Sequence, residues 1–200
     1  MARKIAFDYD AAVDKATTLF WQRGYSATGL RDLLKVMDIG EGSFYNSLKS
    51  KKQLYLSCVQ RYEDQFVRRR FDALKSAPTA AEGARAFFRV VLDDLESGLM
   101  PSHLCMIAAM VTEDVLSDTE LRERAEAGLG VVQTLLQERL HEDREQGVLP
   151  QTLDPQLTAT LITTYLQGLW RMALIHFDRC AFERQVDAFL TGMGLQVKYP

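Results

Sequence analysis

The chain has 200 residues, of which 47% are apolar and 26% charged, and its formal net charge is −3. This composition is typical of a globular protein with one medium domain or a small module joined to a larger one, and it excludes collagen-like, low-complexity and disordered classes. The longest apolar stretches, such as residues 104–111, are much shorter than the about 20 residues of a membrane-spanning helix, and the N-terminus lacks an apolar signal core. We therefore expect a cytoplasmic protein with no membrane partner.

The charge is unevenly distributed along the chain. Residues 1–55 contain nine Lys or Arg and six Asp or Glu, which gives +3 and leaves −6 for the remainder. A basic front on an acidic body is typical of a nucleic-acid-binding head on a body that avoids DNA. The three cysteines form no CxxC pair, the three histidines are far apart, and no GxGxxG motif is present. We therefore predict no disulfide, no metal site and no cofactor.

Apolar residues recur every three or four positions along nearly the whole chain, which predicts an all-α protein with nine helices. The first predicted helix spans residues 10–23. A short amphipathic helix that carries Leu30, Leu33, Leu34 and Met37 follows, and Thr28 is expected to cap its free amides. After a tight turn at Asp38, a third helix is predicted over 41–48.

The remaining predicted helices form a body of six. Capping boxes at Thr79-x-x-Glu82 and Ser117-x-x-Glu120 mark two of their starts. The stretch 102–116 is apolar on nearly every side, so we expect it to be a helix inside the body. The six body helices are predicted from Ser50 to Pro78, from Thr79 to Gly98, over 102–116, from Ser117 to Gly147, over 155–177 and over 181–193.

Two short helices separated by a tight turn and followed by a long helix are typical of a helix-turn-helix unit. The informative residues in this stretch are Leu19-Phe20, Gly24-Tyr25, Thr28, Leu33-Leu34, Ile39, Gly42-Ser43-Phe44-Tyr45 and Ser50-Lys51. With these residues, positions 12–54 resemble the DNA-binding head of the TetR family of bacterial repressors. The resemblance covers about a quarter of the chain. It implies a DNA-binding head at 1–50 and an effector-binding, dimerising body at 51–200.

The chemistry of the head residues fits contacts with double-stranded DNA. Tyr45 and Lys51 suit phosphate oxygens, and the Asn46 amide can pair with an adenine edge in the major groove. The Thr28 hydroxyl, with nearby helix amides, can bind phosphate, and Ser43 can reach a phosphate or a base edge. Phe44 and Leu48 are expected to face inward. The predicted DNA-binding residues are Thr28, Gly42, Ser43, Tyr45, Asn46 and Lys51.

The head also departs from the family pattern. Asp38 occupies a turn position that usually carries glycine, which is tolerable because Asp adopts the left-handed conformation. Gly40 replaces the usual capping Ser or Thr, Glu41 adds a negative charge near the phosphates, and Ser47 replaces an aromatic phosphate contact. These departures predict weaker DNA binding than is usual in the family. They also leave open a helical adaptor whose head does not bind DNA.

The resemblance implies that the body binds a small-molecule effector and is not an enzyme. Aromatic and methionine residues could line the pocket, although such residues are as often plain core. Cys105, two residues from His103, could sense an electrophile or oxidant, be inert core, or serve a helical thiol enzyme. Arg68, Arg69 and Arg70 are expected on a solvated face. The candidate pocket residues are Phe66, Phe87, His103, Cys105, Met106, Met110, Tyr165 and Trp170.

The last two predicted helices carry apolar residues on more than one face, which predicts a homodimer through a four-helix bundle. The implied function is a repressor that binds a palindromic operator and is released when the effector changes the separation of its two heads. The predicted interface residues are Leu161, Ile162, Tyr165, Gly168, Leu169, Ala173, Phe177 and Phe189.

Overall fold

The computed structural model describes residues 8–197, and this part of the chain is all-α, as predicted. It contains eleven α-helices, two more than predicted, because one predicted helix is divided by a π-helical turn and another forms two short helices. The helices are α1 (Tyr9–Arg23), α2 (Leu30–Met37), α3 (Glu41–Leu48), α4 (Lys51–Tyr62), α5 (Arg68–Ser76), α6 (Ala80–Glu96), α7 (Met106–Ala109), α8 (Glu113–Leu116), α9 (Thr119–Glu145), α10 (Pro155–Ile175) and α11 (Arg179–Gly192), and the π-helical turn (Glu63–Val67) joins α4 to α5.

Helices α1 to α3 form the head, and α4 joins it to the body. Asp38 ends α2 in the left-handed conformation, with φ 58° and ψ 48°, which confirms the expected turn. Phe44 and Leu48 are buried in the core, so they hold α3 from inside as predicted. Because α1 packs against both α2 and α4, the head shares the first half of α4 with the body.

The body consists of helices packed around one continuous core. Helix α5 packs on α6, α9 packs on α10, and α11 packs on α6. The N-termini of the long helices are capped by side chains, as at Thr79, whose hydroxyl accepts from the Glu82 amide at 3.2 Å. Asp154 likewise accepts from the Gln156 and Leu157 amides and starts α10 at Pro155.

The prediction of one helix over 102–116 is wrong. This stretch contains two four-residue helices, α7 and α8, joined at Thr112 in an extended conformation. The Ser102 hydroxyl accepts from the Leu104 amide at 3.2 Å, and such local bonds compete with helix formation. Since the run is apolar on nearly every side, it has no clear periodicity that fixes a helix, and the surrounding body determines its path.

The N-terminus of α9 is shifted by one residue from the predicted capping box. Asp118 is the N-cap and accepts from the Leu121 amide at 3.2 Å, while the Ser117 hydroxyl donates to the Asp114 carbonyl. A carboxylate interacts more favourably than a hydroxyl with the positive end of the helix dipole. Within residues 8–197, none of the helices is long and apolar enough to cross a membrane.

Candidate DNA-binding face and effector cleft

The outer face of α3 presents polar groups to solvent. Tyr45 is 53% exposed, Gly42 and Asn46 are also exposed, and Ser43 is partly buried. A Cβ atom at Gly42 would meet nothing within 4 Å, so the packing of this chain does not require glycine there. The face is held rigidly by Phe44, which lies on the inner side of the same helix. Phe44 is fully buried, and its ring contacts the Tyr45 ring edge-on.

Lys51 lies beside this face, at the start of α4. Its ammonium group is 4.4 Å from the centre of the Tyr25 ring, a cation–π distance. Partial burial lowers the pKa of Lys51. The contact with Tyr25 restricts the long lysine side chain and positions its charge at the edge of the head.

Thr28 differs from the prediction. It is fully buried, and its hydroxyl donates to the Gly24 carbonyl at 2.7 Å. The N-cap of α2 is Gly29, which provides no side-chain cap. The assignment of the Thr28 hydroxyl to helix capping or to a phosphate is therefore corrected. This hydroxyl instead stabilises the turn after α1 through its hydrogen bond to Gly24.

Lys49, at the end of α3, has an unusual backbone. Its φ is 62° and its ψ is −57°, and the Ser50 amide donates to the Leu48 carbonyl at 2.7 Å. This is a γ-turn with positive φ, a strained form for a residue with a side chain. The turn redirects the chain from α3 into α4 and leaves Lys49 exposed.

The head is fastened to the body at a buried and at an exposed position. The Trp21 indole N–H donates to the Leu104 carbonyl at 2.6 Å in a buried contact. At the surface, Lys52 Nζ lies 3.2 Å from Asp118 Oδ2 and 2.8 Å from Glu120 Oε2. Hydrogen bonds to Glu120 and Asp118 raise the pKa of Lys52. Sequence reasoning missed both contacts, because they join residues far apart in the chain.

A narrow cleft enters the body between the π-helical turn, α9 and α10. The space inside it that a water-sized sphere can occupy is about 30 Å³, and the total reaches about 380 Å³ only when the open space at its mouth is included. Gly128 on α9 lines the cleft and packs closely on Ile107, since a Cβ atom there would approach the Ile107 side chain to 3.0 Å. The lining is mainly apolar, and its polar members are Arg70 and Gln167. The lining residues are Val67, Arg70, Phe71, Phe87, Cys105, Ile107, Gly128, Leu129, Val132, Leu166, Gln167 and Trp170.

The cleft includes three of the eight predicted pocket residues, Phe87, Cys105 and Trp170. The other five do not line this cleft, because packing directs them elsewhere. Phe66 contacts Trp21 and Tyr62, Tyr165 stacks on Phe189 at 4.1 Å, and His103 lies against Ala173 and Phe177. Met106 and Met110 are buried in the core.

A buried polar network forms the inner wall of the cleft. Arg70 donates to Asp94 Oδ2 through Nε at 2.9 Å and through Nη2 at 2.8 Å. Its Nη1 donates to the Tyr62 hydroxyl at 3.0 Å, and this hydroxyl donates to Cys105 Sγ at 3.1 Å. Burial raises the pKa of Tyr62 well above its usual value, so the hydroxyl keeps its proton and remains a donor.

The arginine run is therefore only partly solvated. Arg68 is exposed, Arg69 reaches Asp94 from an exposed position, and Arg70 is 2% exposed. The expectation of a solvated face is wrong for Arg70. Its guanidinium also lies 5.0 Å from the centre of the Trp170 ring, so the residue connects the ion pair to the aromatic wall of the cleft.

The three cysteines have different environments. Cys105 is buried at the cleft, Cys180 is exposed on α11, and Cys58 is buried in the core. Burial raises the pKa of the Cys58 thiol to about 12. His103 Nδ1 lies 3.3 Å from the Ala173 carbonyl, so its ring is occupied away from the Cys105 thiol. Among residues 8–197, no cluster of three His, Cys, Asp or Glu residues could hold a metal ion.

Helices α10 and α11 present an apolar surface to solvent that differs in part from the predicted interface. Ile162, Leu169 and Ala173 are buried within the single chain, so their assignment to the interface is corrected. Tyr165, Phe177 and Phe189 are partly buried, and Leu161 and Gly168 are exposed. Large apolar residues of α10 that were not predicted are also exposed: Leu157, Met172, Leu174 and Ile175.

Comparison with known proteins places both parts of the chain in one family. The family model of bacterial regulatory proteins of the tetR family matches residues 12–58. The model of the tetracyclin repressor-like C-terminal domain matches residues 81–189. The second match alone covers more than half of the chain.

Several known transcriptional regulators are similar to this chain over most of their length. The chain is 30% identical to a cysteine mutant of the TetR family transcriptional regulator CifR, solved in complex with 26-bp operator DNA, with a TM-score of 0.86 over 94% of this chain and 98% of that one. It is 28% identical to the HTH-type transcriptional repressor ComR of Escherichia coli, over 84% of this chain and 80% of ComR. The fold is shared with Bacillus subtilis FadR in complex with stearoyl-CoA, at 20% identity and a TM-score of 0.73, over 92% of this chain and 97% of FadR.

Proposed function

We propose, from the fact that this chain belongs to the TetR family of bacterial transcriptional regulators, that it is a homodimeric repressor released from a palindromic operator by a small molecule bound in the cleft. As a family member it is a DNA-binding transcriptional regulator. We expect it in the cytoplasm, where the operator DNA of a bacterium lies. The outer face of α3 is the observation that carries the proposal.

The DNA contacts would be made by the exposed face of α3 and by Lys51. Tyr45 and Lys51 are placed for phosphates, and Asn46 for a base edge. Gly42 is proposed as the point where the backbone comes close to DNA, since nothing in this chain requires glycine there. The Thr28 region would contribute backbone amides and not its hydroxyl.

The test is binding to DNA from upstream of the gene, measured by fluorescence anisotropy over a series of salt concentrations. Tyr45→Phe and Lys51→Ala are expected to weaken specific and non-specific DNA about equally, because phosphate contacts carry no sequence information. Gln137→Ala, an exposed change on α9, serves as the control and leaves binding unchanged. If Tyr45→Phe and Lys51→Ala also leave binding unchanged, the proposed face is wrong. If the wild type itself binds no DNA, the adaptor hypothesis takes the place of the repressor.

Dimerisation is supported by the apolar surface of α10, where Ile175 is 79% exposed and Leu157 and Met172 are 56% exposed. Two copies of α10 and α11 would form a four-helix bundle, and obligate interfaces of this kind bury about 2,000 Å² or more. Such a dimer presents two heads to half-sites about 34–36 Å apart. Leu161→Arg should yield monomers in sedimentation velocity, whereas Val148→Arg should not, because Val148 is an exposed apolar position outside this surface.

The effector would bind in the cleft, which adjoins the π-helical turn on the path from the head into the body. Two effector classes are proposed: a reversible apolar ligand, and an electrophile or oxidant that modifies Cys105. The second is supported by the position of the thiol in the cleft wall. It gains nothing from His103, which contacts other groups.

To separate these classes, we compare the operator affinity of the wild type with that of Cys105→Ser. Each affinity is measured before and after treatment with N-ethylmaleimide or peroxide. Loss of affinity in the wild type alone supports the covalent effector. If the affinities of both proteins respond equally to the reagent, the effector is the reversible apolar ligand. A thiol enzyme is disfavoured by the absence of a nearby activating base among the described contacts of Cys105, and a turnover assay on alkylated protein tests it.

A further inference from the structure

The most direct buried connection between the head and the body is made by Trp21. This residue lies in the last turn of α1 and is buried. Its indole N–H donates to the Leu104 carbonyl at 2.6 Å, across 83 positions of sequence. Leu104 belongs to the irregular segment between α6 and α7, which no helical hydrogen-bond ladder holds in place.

The residue after Leu104 is Cys105, which lines the cleft, so the acceptor of the Trp21 bond directly adjoins the cleft wall. The Trp21 ring also contacts the other side of that wall, edge-on to Tyr62 at 4.7 Å. Tyr62 in turn donates to Cys105 Sγ at 3.1 Å. The indole therefore contacts Tyr62 directly and is bonded to Leu104, the residue before Cys105. A molecule in the cleft that separates Tyr62 from Cys105 would displace at least one of these two contacts of Trp21.

Movement at Trp21 is transmitted through α1 to the DNA-binding face. Helix α1 packs against α2 and α4, and the head has a densely packed core in which α3 is anchored by Phe44. Because close-packed interiors transmit displacements, the head follows α1 as a unit. The ion pairs of Arg61 with Asp10 and Asp14, and of Lys52 with Asp118 and Glu120, lie at the surface, where such pairs contribute little and are screened by salt.

We propose that Trp21 is a positioning residue of the repressor, which couples the cleft to the orientation of the head through its hydrogen bond to the Leu104 carbonyl. This inference rests on the proposed function, because it assumes that occupation of the cleft weakens operator binding. It assigns the coupling to one indole N–H, and two outcomes are expected from it. Removing this donor should leave the protein able to bind its operator, and it should abolish the response to the cleft.

The test compares operator affinity with and without bulk in the cleft, in proteins that carry Cys180→Ser so that the exposed thiol does not react. The probe is N-ethylmaleimide on Cys105, and complete single modification is verified by intact-protein mass. Cys58 is protected by burial, which keeps it a protonated thiol. If Cys105 resists the reagent, Cys105→Met supplies the bulk genetically, and the same affinities are measured.

Trp21→Phe keeps an aromatic ring against Tyr62 but removes the indole N–H. Trp170→Phe is the matched control, since Trp170 lines the cleft without a described bond to the head, and it leaves Trp21 as the sole tryptophan for fluorescence. With Trp21 present, bulk at Cys105 should weaken operator binding about tenfold and shift the Trp21 emission. In Trp21→Phe the unmodified protein should still bind, and the ratio of modified to unmodified affinity should fall close to one.

A purely structural role of Trp21 would lower stability and baseline affinity but would not change this ratio. If Trp21→Phe loses affinity on modification as strongly as Trp170→Phe does, the positioning role is wrong and the proposed function stands. If bulk at Cys105 leaves the affinity of the Trp21-containing proteins unchanged, the proposed effector site fails, and the coupling fails with it.

Discussion

The buried ion pair between Arg70 and Asp94 leads to a stability prediction with a defined size. Arg70 is 2% exposed and Asp94 is 3% exposed, and two Arg70 nitrogens donate to Asp94 Oδ2 at 2.9 and 2.8 Å. Hydrogen bonds to charged groups contribute about 1.5–3 kcal/mol each, so two correspond to about 3–6 kcal/mol. Loss of one partner of a buried pair costs about 3–5 kcal/mol, because the remaining charge is uncompensated.

Asp94→Ala is therefore expected to lower the free energy of unfolding by about 3–5 kcal/mol. The assay is urea denaturation followed by far-UV circular dichroism at one fixed protein concentration, because the apparent stability of a dimer depends on concentration. Asp187→Ala is the matched control. Asp187 pairs with Arg85 at 2.9 Å but its side chain is 68% exposed, so its loss should cost at most about 1 kcal/mol.

A double variant tests whether the cost comes from the unpaired charge. Arg70→Met with Asp94→Leu removes both charges and keeps apolar volume, and such replacements are often neutral or stabilising by about 1–4 kcal/mol. We expect the double variant to be clearly more stable than Asp94→Ala. If Asp94→Ala costs no more than Asp187→Ala, or if the double variant is the least stable protein, the pair does not stabilise the fold as argued.

Three further predictions concern the head. Glu41→Lys should tighten binding to non-specific DNA and steepen the salt dependence by about 0.9 in log K against log salt for a single added phosphate contact; an unchanged slope would mean that α3 does not approach DNA as proposed. Asn46→Ala should cost about 1–3 kcal/mol and relax specificity at one base position, which a panel of operator variants would reveal as equal affinity for all four bases there. Lys49→Gly should raise the unfolding free energy by about 1 kcal/mol, because relief of about 1–3 kcal/mol of backbone strain exceeds the about 0.5–1 kcal/mol entropy cost of glycine; a lower melting temperature would show that the γ-turn is unstrained.

The sequence predicted the head well because local signals determine its structure. The bounds of α3 agree with prediction to the residue, and α2 contains all four apolar residues predicted for it, since short amphipathic helices between turn residues leave few alternatives. Thr28 was mistaken for a cap because a threonine before a helix usually caps it. In this chain the cap is Gly29, and the Thr28 hydroxyl bonds backward to Gly24, a choice that depends on burial and is not visible in the local sequence.

Five of the eight predicted pocket residues lie outside the cleft, because its lining is assembled from helices far apart in the chain. Residue type alone could not separate Trp170, which lines the cleft, from Tyr165, which stacks on Phe189 and lies little more than one turn earlier on the same helix. Arg70, however, carried a signal that could have been used. It follows Phe66 by four residues on the apolar side of the helix and precedes Leu74 by four, so helical spacing places it inside the body despite its charge.

A charged residue on an apolar stripe requires a buried counter-charge, because an unpaired charge in a core is prohibitively unfavourable. Asp94 satisfies this requirement from the buried side of α6, two residues after the apolar pair Val91 and Leu92. Both members of the pair are therefore visible in the sequence as charges at core positions of amphipathic helices. Such mismatched charges point to the inner wall of the cleft, because the Arg70 guanidinium that Asp94 holds is the group that donates to the Tyr62 hydroxyl.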